Sequence, residues 1–229
     1  MNWEEIRKIC FWLPISSIGW HQHPNGDGWV QDTALVSGEA QVSGEALVYG
    51  KAQVYSKAQV SGEAQVYGEA RVSGKALVYG KALVSGKAQV SGEARVFGEA
   101  LVSGKAQVYG EAQVYGEARV SGKALVSGKA RVSDKAQVSG EALVSGEARV
   151  EKTTEILLVS PIGSRNSCLT ICAGKDNMLL AATGCYAGTL DDLEARVKEV
   201  HKDTIHTHIY LSAIGFSRQY FDLNSKAKV

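Results

Sequence analysis

Between residues 32 and 151 this 229-residue chain contains no histidine and no cysteine. That stretch therefore has no imidazole general base, no thiol nucleophile and none of the nitrogen and sulfur ligands that zinc prefers. Nowhere does the chain carry a Gly-rich phosphate loop or a paired-cysteine zinc motif, and no cofactor is implied. Neither sign of charge is in excess: 25 Lys and Arg against 24 Asp and Glu give a formal net charge of +1. Such a balance supplies no long-range field to collect nucleic acid or an anionic membrane. No apolar run approaches the roughly 20 residues that span a bilayer. The apolar segment 9–15 is short, contains Pro14 and follows a stretch that holds Glu4 and Glu5 rather than a basic region, so it does not read as a signal peptide. Only four cysteines occur, at 10, 168, 172 and 185. Cys168 and Cys172 fall on one apparent strand, about 13 Å apart and too far to bridge. They read as reduced structural thiols of a cytoplasmic protein.

What is abundant is a single six-residue unit. From Asp32 to Glu151 the pattern Gly-(Glu/Lys)-Ala-(Gln/Leu/Arg)-Val-(Ser/Tyr) recurs twenty times with no insertion or deletion. Valine returns every six residues from Val36 to Val150, and alanine sits two before each, from Ala34 to Ala148. Residues two apart on a strand share a face, so Ala and Val can share one core while the residue between them points outward. The Gly-(Glu/Lys) pair sits where the chain must turn. A fixed short period of this kind predicts a parallel solenoid. Burying twenty valines at about 1.5–3 kcal/mol each would contribute on the order of 30–60 kcal/mol before chain entropy opposes it.

The repeat resembles the hexapeptide repeat of left-handed β-helix proteins. In that family three hexads close one triangular coil of eighteen residues. The resemblance therefore implies nearly seven coils stacked at about 4.8 Å, a prism roughly 30 Å long. It also implies side-by-side packing of three parallel prisms. Hexapeptide-repeat acyltransferases share this scaffold but generally use a histidine base and a loop projecting from the coils. Residues 32–151 have neither, so the scaffold does not carry that activity over.

If the period is eighteen, columns follow. The turn residue is Glu ten times and Lys nine times, with Thr33 the exception. The column Glu39, Lys57, Lys75, Glu93, Glu111, Lys129, Glu147 alternates in sign only in part, which predicts weak, solvated ladders. Ser56 and Asp134 replace the turn glycine, and Ser56 is expected to be slightly strained. Tyr79, Phe97 and Tyr115 fall in one column and are expected to stack. Tyr49 and Tyr67 share a face with Leu47, Leu83 and Leu101, and those five residues form the expected oligomer seam.

The flanks differ. Residues 1–13 read as a short helix, with Trp3, Ile6, Cys10 and Leu13 at helical spacing and Pro14 ending it. The polar segment from Trp20 to Trp29, with Pro24-Asn25-Gly26 at its centre, is expected to cover the open first coil and protect its strand edges. His21 and His23 have no third ligand nearby in sequence and read as capping polar residues, not a metal pair. After Glu151 the period stops. Residues 155–160, 168–173 and 178–183 read as strands with turns at 161–167 and 174–177. Thr189 is expected to cap a helix whose apolar stripe is Leu190, Leu193, Val197 and Val200. Asp203 is expected to cap a second, with Ile205, Ile209, Ala213, Phe216 and Tyr220 at helical spacing.

Gly163 to Asn166, Gly184 to Leu190, Glu194 to Val197, His201, Tyr210-Leu211 and Tyr220-Phe221 together resemble a small C-terminal module of phage and prophage proteins. His23 to Gly26 with Trp29-Val30 likewise resembles the start of phage-encoded hexapeptide-repeat proteins. The resemblance implies viral origin and carries no known activity. The sequence-level reading is thus mainly β: a left-handed parallel β-helix at 32–151, an N-terminal cap at 1–31 and a small βββαα head at 152–229. Because the hexads are nearly interchangeable, a specific ligand is expected at the head, on Ser164, Arg165, Asn166, Cys185, His201 and Tyr210. Arg165 is suited to grip a phosphate or carboxylate bidentately, and Cys185 with His201 reads as structural in preference to nucleophile and base. The expected function is non-enzymatic: a homotrimer whose heads bind a host protein or a small anionic ligand in the host cytoplasm, against an antiviral defence. A virion fibre segment and an acyltransferase relative are the alternatives. Neither nucleic acid nor membrane is expected as a partner.

Overall fold

A computed structural model describes residues 2–9, 11–14, 16–175, 178–202 and 204–226. The hexads form a triangular parallel β-solenoid. Each contributes a two-residue rung, and every rung pairs in parallel with the one eighteen residues on, as Leu83 with Leu101 and Gln89 with Gln107. Three sheets result. Face I runs from Trp29–Val30 to Gln137–Val138, face II from Leu35–Val36 to Leu143–Val144, and face III from Gln41–Val42 to Arg149–Val150.

The inward-outward alternation is as expected. From Ala46 to Val150 every repeat alanine and valine is fully buried in one continuous core. Backbone polarity is uniform along the prism. Gln89 N–H donates to Ala106 C=O and Ser91 N–H to Val108 C=O, both at 2.9 Å, always toward the next coil. The first coil consequently presents carbonyls at its free edge and the last presents N–H groups. At the corners, glycines stack on glycines. A Cβ on Gly86 (φ +67) would meet the backbone N and O of Gly104 at 3.0 Å, so both the dihedral and the close approach select glycine. Ser56 and Asp134 hold the same left-handed geometry at φ +64 and +51, with the strain this implies for non-glycine residues.

Outward columns behave as eighteen-residue spacing dictates. Lys75–Glu93 (3.0 Å) and Lys57–Glu39 (3.6 Å) pair in the column read from the sequence, and Lys123–Glu141 (2.7 Å) in another. All are well exposed, so each contributes little. Tyr79, Phe97 and Tyr115 stack nearly parallel with centroids 4.9 Å apart, as do Tyr49 and Tyr67.

The solenoid begins one rung earlier than the sequence reading placed it. Strand β1 (Trp20–Gln22) pairs antiparallel with β2 (Trp29–Gln31), and β2 is the first rung of face I, pairing with Leu47–Val48. Gly26 to Gln31 is a hexad in register, with Gly28 in place of alanine because a Cβ there would lie 2.6 Å from Val42 Cγ1. The capping expectation holds in part. Gly28 N–H donates to Val42 C=O (2.8 Å) and Asn25 Nδ2 to Ala40 C=O (3.1 Å), so this loop closes the face III edge, while β1 closes that of face I. Helix α1 (Trp3–Ile9) instead lies on the side of the prism, where Trp3, Ile6, Leu13, Trp20 and Trp29 gather over Leu47. Cys10, expected on that helix, lies outside the described residues.

The head is a four-stranded antiparallel meander, not three-stranded: β3 (Ile156–Ile162), β4 (Ser167–Ala173), β5 (Leu179–Thr183) and β6 (Tyr186–Thr189). The fourth strand, Tyr-Ala-Gly-Thr, has little β-propensity of its own and forms because the two-residue turn at Gly184-Cys185 folds it onto β5. Of the expected 174–177 turn, Asp176 and Asn177 lie outside the described residues. The sheet lies across the end of the prism. The row Ile156, Cys172, Leu180 continues the prism core, while Leu169, Ile171 and Ala181 face the helices α2 (Leu190–His201) and α3 (Ile205–Lys226). Thr189 Oγ1 accepts the Asp192 N–H at 3.1 Å, the expected cap, whereas Asp203 is outside the described residues.

Two apolar stripes are corrected. On α2, Leu190, Leu193 and Val197 are buried but Val200 is 62% exposed. On α3 the buried side is Thr207, Tyr210, Ala213, Ile214 and Ser217. Of the expected stripe only Ala213 is buried, and Ile205, Ile209 and Phe216 face out. Packing of Tyr210 on Gly163 and ion pairs from Arg218 to Asp191 (2.6 Å) and Glu194 (2.7 Å) of α2 set the rotation of α3.

Candidate functional site

The six head residues singled out from the sequence collect at one end of the sheet. Ser164, Arg165 and Asn166 are exposed in the turn between β3 and β4, and Asn166 adopts φ +48. Cys185 is exposed in the adjacent turn between β5 and β6. Beneath them Tyr210 is buried, with its hydroxyl against Gly163: a Cβ there would fall 2.6 Å from it. His201, at the end of α2, stacks on the Tyr210 ring with centroids 6.0 Å apart. Tyr210 is thus a packing residue that ties α3 to the β3–β4 turn. Cys185 and His201 share no hydrogen bond, so the nucleophile-base geometry is not formed.

Of the expected seam, Leu47 is fully buried beneath α1 and cannot face another molecule. Tyr49 packs beside it, with Trp12 at 4.9 Å and Trp20 at 5.8 Å. Leu83 lines a 250 Å³ recess with Ile6, Phe11 and Trp12. Tyr67 and Leu101 remain half-buried on face I. The N-terminal segment therefore occupies much of the surface that an interface would have used.

A larger concavity opens at the opposite end of the head sheet, where the head meets the last coil. This cleft, about 570 Å³, is walled by Arg149 and Glu151 at the end of the prism, Lys175 of the turn after β4, Leu179 of β5, and Arg218, Phe221 and Asp222 of α3. Some of its charges are matched. Arg218 is held by Asp191 and Glu194, and Asp222 by Lys226 at 2.6 Å. Lys198 and Arg218 together hold Glu194 below the usual carboxylate range. Glu155 accepts the N–H groups of Glu151 (2.8 Å) and Lys152 (3.2 Å). Arg149 and Lys175 make no ion pair among the described residues and are exposed. Glu151, also exposed on the cleft wall, makes no ion pair among the described residues either, so the cleft presents free charges of both signs beside the apolar surface of Leu179 and Phe221.

A family model for the YdcK Beta solenoid repeat matches residues 40–56, 64–80 and 112–128. The matched segments lie wholly in the prism, so the repeat β-solenoid is supported and the head is not addressed. No curated protein matches the chain.

Sequence reasoning missed Arg149 and Lys175. Arg149 looked like one more outward repeat residue. With the eighteen-residue register applied, Arg131 and Arg149 stand together at the head end of face III, which was the available signal. A second, smaller cavity of about 100 Å³ lies between the last coil and the sheet, lined by Leu143, Cys172, Leu180 and Ala182. Burial pushes the Cys172 thiol up to about 12 and raises that of Cys168, so neither offers a thiolate.

Proposed function

We propose that this is a non-enzymatic binding protein in which the prism is a rigid mount and the cleft between its last coil and the head takes a small anionic ligand. The observation that carries the reading is the pair Arg149 and Lys175, which make no ion pair among the described residues and line a 570 Å³ cleft beside apolar Leu179 and Phe221. The site moves from the Arg165 turn to this cleft because Arg165 stands on an exposed turn, whereas the cleft has walls from three elements. The phage-like segments of the sequence support a phage-encoded protein acting in the host cytoplasm, where sequestering a small anionic signal would blunt an antiviral response. A homotrimer, as the repeat resemblance implies, would have to use the Tyr67 and Leu101 part of face I, beyond the N-terminal segment.

The test is mass spectrometry of the small molecules carried through native purification. The Arg149→Ala/Lys175→Ala double variant should lose an anionic species that the wild type and Arg165→Ala retain. Loss from Arg165→Ala with retention in the double variant would move the site back to the β3–β4 turn.

A further inference from the structure

The cleft carries a free acid as well as free bases. Arg149 and Glu151 stand on either side of the fully buried Val150, so both side chains leave the same outward surface of the last coil. Residues two apart on an extended chain lie roughly 7 Å from each other. The two charges are opposite, yet neither makes an ion pair among the described residues, and both line the cleft. The backbone that carries them is held. Arg149–Val150 is the last rung of face III, paired with Arg131–Val132, and Glu155 accepts the N–H groups of Glu151 (2.8 Å) and Lys152 (3.2 Å). The two side chains thus start from fixed points on one wall.

We propose that the ligand of this cleft is a zwitterion, an α-amino acid with an apolar side chain, whose carboxylate lies on Arg149 and whose ammonium group lies on Glu151. The inference rests on the reading of the cleft as the ligand site and sharpens it, since the anionic group now comes with a cationic one beside it. A ligand that was anionic throughout would meet repulsion from Glu151, and one that was cationic throughout would meet it from Arg149 and Lys175. In an α-amino acid the two charges are joined through a single carbon, so a head group seated between Arg149 and Glu151 satisfies both with charge-assisted hydrogen bonds. The remaining charged groups of the lining are already engaged: Arg218 with Asp191 and Glu194, Asp222 with Lys226, and Glu155 with the two N–H groups. Leu179 and Phe221, half-buried in the same lining, supply apolar surface for the ligand's side chain, and the Phe221 ring favours an aromatic one.

Isothermal titration calorimetry of the full chain separates the parts of such a ligand. L-phenylalanine should bind the wild type. Hydrocinnamate, which lacks the ammonium group, and phenethylamine, which lacks the carboxylate, should each bind about tenfold or more weakly, the loss expected for one charge-assisted contact. Glu151→Gln should bring L-phenylalanine down to the level of hydrocinnamate and leave hydrocinnamate itself no weaker. Its melting temperature should not change, because the exposed Glu151 side chain holds no other group in place.

If hydrocinnamate binds the wild type as well as L-phenylalanine does, or Glu151→Gln leaves L-phenylalanine unaffected, the zwitterion is wrong while an anion site at Arg149 and Lys175 stands. If neither compound binds, the amino-acid class falls, and the mass-spectrometric comparison of wild type with Arg149→Ala/Lys175→Ala decides the reading of the cleft separately.

Discussion

The hydroxyl of Thr170, fully buried at the centre of the head sheet, accepts the backbone N–H of Leu143 in the last coil at 2.9 Å. The uniform polarity of the solenoid explains why that contact exists. Every rung donates toward the next coil, so the last coil is left with donors and no following carbonyls. Glu155 meets the same need at Glu151 with its carboxylate. The head is therefore both the cap of the prism and the carrier of the cleft. Its position over Arg149 is fixed by polar groups that the prism must satisfy.

Thr170→Val should accordingly weaken the junction. It conserves volume but leaves a buried N–H without an acceptor, at a cost of about 1–3 kcal/mol. Thr170→Ser should recover most of that loss. Urea unfolding of the three proteins checks it, and equal midpoints for the Ser and Val variants would show that the hydroxyl does not cap the coil.

All four tryptophans of the chain, at 3, 12, 20 and 29, lie in the N-terminal segment. Tryptophan emission therefore reports the cap alone, and circular dichroism reports mainly the prism. Leu47→Ala should cost about 2–5 kcal/mol and should appear as early unfolding in emission, because Leu47 is the prism residue on which Trp3, Trp20 and Trp29 assemble. Identical shifts in both signals would mean that cap and prism unfold as one unit.

The prism was legible because its period is short and unbroken. Ala and Val two apart assign the inward face without any long-range information, and Val30 escaped only because Gly28 broke the alanine pattern. The head was less legible. Helix α3 has two sides that both scan as apolar, and the one with Ile205, Ile209 and Phe216 scans better than the one with Thr207, Tyr210 and Ser217 that is buried. Which side packs is decided by Gly163 and by the acids of α2, more than forty and about twenty-five residues away respectively. The cleft could not be read locally either, since Arg149 and Lys175 meet only when the sheet folds back over the last coil.

Val90 is fully buried in the middle of the core, and Gln89 beside it points to solvent. Val90→Asp should destabilise by several kcal/mol, since the core around it holds only alanine and valine and offers no cation to pair with it. Gln89→Asp should move the melting temperature little. Similar losses from both substitutions would contradict the inward-outward assignment.

Cys172 gives the junction a pH dependence of known sign. Burial raises its thiol from an ordinary value near 9 to about 12 in the folded chain. The folded state thus favours the neutral thiol, while the unfolded chain releases its proton earlier. The stability linked to this group is fully present below about pH 9 and is lost progressively as pH rises toward 12. The three-unit difference corresponds to at most about 4 kcal/mol. Cys172→Val removes the titrating group while keeping an apolar side chain against Ile156 and the last coil. Its unfolding free energy should fall less steeply than the wild type's between pH 9 and 11. Parallel slopes would place the alkaline loss on other groups. In the folded wild type at pH 8, iodoacetamide should label exposed Cys185 and leave Cys172 unmodified until urea opens the junction.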